Sequence, residues 1–254
     1  MGVAQNMLSS SACALCFLVL FPALCVAQDT YTPSRATYYG SPDCLGTPSG
    51  ACGYGEFGRT VNGGDVAAVS YGLYKNGTGC GACYQVRCTI PQKCTEDGVK
   101  VVVTDHGEGD HTDFILSARS YSKLAQPNMA KELIAYGVVN IEYKRIPCQY
   151  PGYNLMFKVH EHSRYPEYLA VVMIYQAGQN DITAVELWQE DCKQWRGMRH
   201  AYGAVWDVSN PPRDTITLRF QVSGYAGTQW MVASNAIPNY WKAGIAYDSA
   251  LQLA

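Results

Sequence analysis

Eight cysteines between Cys44 and Cys192, set behind an apolar leader, restrict this chain more than any other feature. Residues 1–28 contain no Lys, Arg, Asp or Glu, and Ala12 to Ala27 is an unbroken apolar run. Spanning a bilayer takes about 20 such residues, and Pro22 interrupts this run. Cys25 and Ala27 are small residues ahead of polar Gln28 and Asp29, the pattern of a secretory signal cleaved after residue 27. Cys13, Cys16 and Cys25 leave with it. The remainder, Cys44, Cys52, Cys80, Cys83, Cys88, Cys94, Cys148 and Cys192, then sits in an oxidising compartment, where cysteines form a disulfide framework. Cys80-Gly-Ala-Cys83 with Cys88 and Cys94 imitates zinc or redox spacing, but secretion favours structural bridges. Spacing alone does not choose among the pairings.

Composition narrows the classes further. The 254 residues carry a formal charge of −2, which gives no electrostatic footprint for nucleic acid. With 48% hydrophobic and only 16% charged residues, there is ample material for a core. No second long apolar stretch follows the leader, so the processed chain is expected to be soluble, extracellular and monomeric, with no membrane partner.

Two halves differ in character. From Tyr38 to Gly109 the chain is rich in Gly and Cys, with short apolar or alternating runs at Ala67–Tyr71, Tyr84–Cys88, Val99–Val103 and Phe114–Leu116. These predict strands between turns. A helix is expected from Met129 to Tyr136, ended by Gly137, and a strand over Val139–Lys144. Pro147 to Gly152 reads as a linker. Beyond it, Leu155–His160, Leu169–Tyr175, Ile182–Trp188 and Ile216–Val222 are strands separated by turn residues, the pattern of a β-sandwich. The expected division is a signal peptide at 1–27, a first domain at 28–148 and a second at 153–254. Seven of the eight cysteines fall in the first domain, so either Cys192 bridges back to it or two thiols stay free.

Familiar catalytic signatures are missing: there is no Gly-x-Ser-x-Gly elbow, no Walker loop and no His-Glu-x-x-His. Gly77-Thr-Gly79-Cys-Gly81-Ala82 imitates a dinucleotide loop, but no helix or acidic residue follows in register. Thr104 to Asp113 is the densest polar cluster, and its oxygen spacing does not fit a calcium loop. No cofactor or metal site is expected. His160 and His162 read as solvent-exposed, and Asn76-Gly77-Thr78 is a glycosylation sequon in a turn.

Several runs together resemble the plant expansins, and the likeness covers nearly the whole chain after the leader. They are Ala36-Thr37-Tyr38-Tyr39-Gly40, Ser49 to Gly55, Gly77 to Cys88, Val103-Thr104-Asp105, Gly137 to Cys148, Tyr168 to Val171, Gly203 to Trp206 and Ile237 to Trp241. Gly55 to Arg59 and Trp188 to Lys193 point to the expansin-like B branch. The resemblance implies an all-β fold: a six-stranded double-psi β-barrel related to an endoglucanase, packed on an immunoglobulin-like sandwich that binds wall polysaccharide. It implies bridges Cys52–Cys80, Cys83–Cys148 and Cys88–Cys94, leaving Cys44 and Cys192 for a bridge between domains.

It also implies a groove containing Thr37, Tyr38, Tyr39 and Asp105. Glycosidic hydrolysis uses two carboxyl groups, about 5–5.5 Å apart for retention or 6.5–9.5 Å for inversion. The family's second aspartate position is occupied here by Ile115, and Asp113, two residues earlier, lies about 6.6 Å away along a strand. That displacement defeats a proton transfer sensitive to errors of about 1 Å. The expected function is therefore non-hydrolytic binding to cellulose, xyloglucan or another matrix glucan in the cell wall, with loosening of their contacts. A residual endoglucanase and a structural or defence wall protein are the alternatives. On the sandwich, the resemblance assigns Tyr168 and Tyr202 to the sugar, whereas Tyr175, Trp188, Trp206 and Trp230 read as core.

Overall fold

The computed structural model describes residues 30–109, 111–225 and 227–253. The expected signal segment, with Cys13, Cys16 and Cys25, lies outside the described residues, as does Asp110 of the polar cluster. The first six strands are β1 (Thr32–Tyr39), β2 (Val66–Val69), β3 (Cys83–Cys88), β4 (Val99–His106), β5 (Phe114–Ser117) and β6 (Val139–Ile146). They close into a barrel in the order β1-β5-β2-β4-β3-β6, the double-psi arrangement. Helices α1 (Glu56–Thr60), α2 (Tyr71–Tyr74), α3 (Ala118–Lys123) and α4 (Ala130–Tyr136) fill the connections.

Local sequence explains most of this. Strand β4 lies between β2 and β3, so Val101, Val102 and Val103 are all buried and the run carries no polar alternation. Helix α4 ends where Gly137 adopts φ 70°, a left-handed conformation that costs glycine little. The strand expected at Ala67–Tyr71 stops at Val69, because Ser70 turns the chain into α2 by accepting from Leu73 and Tyr74.

The second unit is a sandwich. One sheet has the order β10-β9-β13-β14 and the other β11-β12-β8-β7-β15. Their strands are β7 (Met156–Val159), β8 (Tyr168–Ile174), β9 (Asp181–Gln189), β10 (Gln194–Gly197), β11 (Arg199–Tyr202), β12 (Val205–Ser209), β13 (Ile216–Gly224), β14 (Gly227–Ile237) and β15 (Ala246–Asp248). Alternation decides which residues meet. Ile216, Leu218, Phe220 and Val222 of β13 face Phe157, Leu169, Val171 and Met173 of the opposite sheet in one apolar cluster.

The other side of β8 and β12 is also apolar. Ala170, Val172, Ile174 and Val205 join Cys52, Tyr54 and the barrel interior in a single cluster, so the two units share a core. Asp181, at the start of β9, completes the joint by pairing with Lys75 and Arg145 of the barrel.

Three disulfides staple the barrel: Cys52–Cys80, Cys83–Cys148 and Cys88–Cys94. Cys44 and Cys192 are exposed free thiols, so the bridge expected between them is absent. The reason is the direction of β9. Its first residue is held at the barrel, and Cys192 lies beyond its far end, roughly 27 Å away at about 3.3 Å per residue. The aromatic residues expected in the core divide as well. Trp206 is buried, Tyr175 and Trp188 are half-buried, and Trp230 is 39% exposed because it alternates outward on β14.

Candidate functional site

The barrel register assembles the groove. Ala68 of β2 pairs with Asp105 on β4 and with Ile115 on β5, and Ile115 pairs in turn with Thr37 on β1. Asp105, Ala68, Ile115 and Thr37 therefore form one row across four strands. A register shift between Ala67 and Ala68 puts Asp105 there. Plain alternation would have aimed it inward with Val101 and Val103, and an irregularity of this kind re-aims a side chain.

Asp105 is held by backbone. Its Oδ1 accepts from Ala51 N–H at 2.6 Å and from its neighbour His106 N–H at 2.8 Å. Gly50 presses on the same carboxylate: a Cβ there would stand 3.3 Å from both Asp105 Cβ and Cγ and 2.6 Å from Thr104 O. Tyr39, two residues after Thr37 on the same face, comes close enough for the carboxylate to act on its phenol. Burial first, and then Asp105, push that phenol far above its usual range. The Tyr39 hydroxyl is buried with no hydrogen-bond partner among the described residues.

Two expected members sit elsewhere. Tyr38 faces away from Tyr39, as consecutive strand residues must, with its ring 4.7 Å from Tyr121 and its hydroxyl donating to Ile134 O at 3.5 Å. Tyr38 thus packs against the barrel core and not in the groove. The Asp113 carboxylate is occupied by the hydroxyls of Ser34 at 2.7 Å and Ser70 at 2.6 Å, ahead of β5. Thr37 donates to Gly137 O at 2.8 Å, which ties the row's end to α4.

Sequence reasoning missed Tyr74. Its ring packs 4.8 Å from the His106 ring, its hydroxyl donates to Ala51 O, and burial, with Asp105 adding, raises its pKa. A lone tyrosine on a four-residue helix offers no pattern from which such a place could be read.

The loop that grips Asp105 also reaches the sandwich. Ala204 N–H donates to Cys52 O at 3.0 Å, and a Cβ on Gly53 would meet the Tyr202 ring at 3.0 Å. Tyr202, at the end of β11, is 47% exposed, and its hydroxyl lies 3.2 Å from His160 Nε2. On the same sheet face, Tyr168 donates at 2.7 Å to Asp207, which Arg199 also engages at 2.9 Å through Nε. The Arg199 hydrogen bond holds the Asp207 carboxyl below its ordinary range. The Gly50–Gly55 turn thus links the groove to this sheet, holding Asp105 through Ala51 and packing Gly53 against Tyr202. Asn76 lies exposed in a turn beside it, with Thr78 Oγ1 donating to Lys75 O. Among the described residues, no group of three or more His, Cys, Asp or Glu could hold a metal ion.

His160 corrects the surface expectation, since it is buried while His162 is exposed. Burial pulls its imidazole below the ordinary pKa, with Glu161 opposing and His162 and Lys158 adding to the shift. A histidine lowered in the folded state contributes stability above its unfolded pKa of about 6.5, and loses it as pH falls through the lower folded value. The expected result is a urea midpoint that falls between pH 7 and pH 5, and falls less in His160→Gln. Equal falls would refute the assignment.

Comparison with known proteins follows the same division. The expansin C-terminal domain model matches residues 155–238, and a model described as lytic transglycolase matches 66–143. Expansin-like B1 of Arabidopsis thaliana is 59% identical over 93% of this chain and 94% of its own length. Expansin-like B1 of Oryza sativa subsp. japonica is 45% identical, with 93% of each chain covered. Among solved structures, the apo expansin of Clavibacter michiganensis superposes with a TM-score of 0.64 over 88% of this chain and 98% of its own, at 20% identity. A mutant of that expansin in complex with cellohexaose gives 0.65 over the same shares.

Proposed function

The chain belongs to the expansin family, in its expansin-like B branch, and from that premise we propose that it is secreted and works in the cell wall. There it binds cellulose or matrix glucans and loosens their non-covalent contacts without cutting them. The carrying observation is that the Gly50–Gly55 turn holds Asp105 at one end and packs against Tyr202 at the other, with a single carboxylate in the groove row.

The chemistry follows from those groups. A glucan chain is a ribbon with apolar C–H faces and hydroxyl edges, and exposed tyrosine rings suit the faces. Asp105 uses Oδ1 on two backbone donors, and its other oxygen is an acceptor for sugar hydroxyls. Cleavage additionally requires a proton donor across the bond. The position opposite Asp105 in the row is Ile115, and two strand spacings of about 4.8 Å would have placed a carboxyl there near the separation used for inversion. Asp113 is engaged by two serines. The groove grips without protonating.

Two assays test this. Purified protein is expected to increase creep of heat-inactivated wall strips under load, and to release no reducing ends from soluble glucan. Release that disappears in Asp105→Asn would establish a hydrolase and overturn the reading. In the same proposal, the segment 1–27 is the cleaved signal and Asn76 carries glycan, both readable by mass spectrometry of the secreted protein.

A further inference from the structure

The sandwich has a second aromatic face. Its sheet β10-β9-β13-β14 turns one side to the core, and the other side carries Trp195, Trp188, Arg219 and Trp230 across all four strands. The register sets them side by side: Trp195 pairs with Trp188, Arg219 with Glu186 and Val232, and Gln221 with Trp230. The Arg219 guanidinium carbon lies 4.4 Å from the Trp195 ring centre and 4.5 Å from that of Trp230. Trp188 meets Trp195 edge-on at 5.3 Å. A guanidinium between two indoles holds both rings in place.

Beside them opens a cleft of about 680 Å³, lined by Trp188, Trp195, Glu190, Asp214, Thr217 and Asn235. Apolar rings under a rim of hydroxyl, amide and carboxylate groups form the kind of concavity that takes a polyhydroxylated ligand. Charge selects which one. Arg219 is paired with Glu186, its Nε donating at 2.6 Å, and Lys193 is paired with Glu190. Both cations are neutralised by neighbours, so the face has no excess positive charge for an acidic polymer.

We propose that this outer sheet face is a second glycan-binding platform, for a neutral β-glucan chain stacked on Trp188, Trp195 and Trp230. Sheets of a sandwich pack about 10 Å apart, so the platform and the Tyr168–Tyr202 face lie on opposite sides of one thin domain. A single molecule then holds two chains at once. The platform stands on its own observations and does not require the first face to be used.

Tryptophan emission separates the two faces, because the first presents tyrosines while Trp206 and Trp241 are buried. The experiment titrates the full chain with cellohexaose and follows that emission. The wild type is expected to show a saturable change that persists in the Tyr168→Ala/Tyr202→Ala variant. It should weaken about tenfold in Trp230→Ala, the upper range for one aromatic contact, and recover in Trp230→Phe. Cellulose nanocrystals should also be cross-linked by the wild type and not by Trp230→Ala. Loss of the emission change in the tyrosine variant, or its survival in Trp230→Ala, would overturn the proposal. So would a wild-type dimer that Trp230→Ala makes monomeric, which would mark the face as a self-association surface. If emission never changes while cellulose still pulls the protein down, the platform fails and the Tyr168–Tyr202 reading stands.

Discussion

Replacing Cys83 and Cys148 together with alanine is expected to lower the free energy of unfolding by about 4 kcal/mol, the largest loss any one bridge can give here. The bridge closes a sequence separation of 65 residues, against 28 for Cys52–Cys80 and 6 for Cys88–Cys94. In the chain-entropy account the three should contribute about 4.3, 3.6 and 2.2 kcal/mol in that order. Position adds to length. Cys83 pairs with Ile146 where β3 meets β6, and Cys148 exchanges two backbone hydrogen bonds with Gly178 of the sandwich, at 2.8 and 3.0 Å. The bridge therefore also anchors the segment by which the second unit docks. Urea unfolding of the paired-alanine variants checks the order. If the Cys88–Cys94 variant lost as much as the Cys83–Cys148 variant, loop closure would not be what these bridges supply.

The docking residues make the same point electrostatically. Asp181 receives both Lys75 and Arg145, and Gln179 reaches Arg145 O at 3.2 Å. With Ala170, Val172 and Val205 packed into the barrel's own cluster, the relation of groove to sheet is held by apolar burial as well as by ions. The binding surface proposed above, spread over two units, needs that. A tilt of the sandwich would carry Tyr202 away from Gly53.

How far the sequence reveals this molecule depends on the kind of residue. Strands with a strict period, such as Ile216–Val222 and Val139–Lys144, are legible because alternation puts one set in the core. Strand β14 is not, since its exposed Thr228, Gln229, Ser234 and Asn235 give no clean apolar period, and its place is set by pairing with β13. The same blindness misplaced Trp230, whose outward aim follows from register. Asp105 could be named from its motif, yet its outward aim depends on one register irregularity that no local pattern encodes. Tyr38 and Tyr39 are adjacent in sequence and opposite in space, so a motif containing both cannot put both in the groove. The free Cys44 and Cys192 show the converse. Counting suggests a pair, and strand direction denies it.

Tyr168→Ala/Tyr202→Ala is expected to weaken sedimentation with cellulose between about fivefold and a hundredfold, which is about 1–3 kcal/mol for two aromatic contacts. The two rings do different work, and phenylalanine separates it. Tyr202→Phe keeps the ring while removing the hydroxyl beside His160, and should bind nearly as wild type. Tyr168→Phe keeps the ring but takes one donor from Asp207, which is only 3% exposed, so its cost should appear in stability more than in binding. Arg199 still holds that carboxylate, which limits the loss. If the alanine pair bound cellulose as well as wild type, the tyrosine face would not be the adhesive one, whatever the groove does. If the phenylalanine variants lost as much as the alanine pair, hydroxyl hydrogen bonds and not ring faces would carry the contact. Only loss with alanine and retention with phenylalanine fits a sugar ribbon lying flat on the rings.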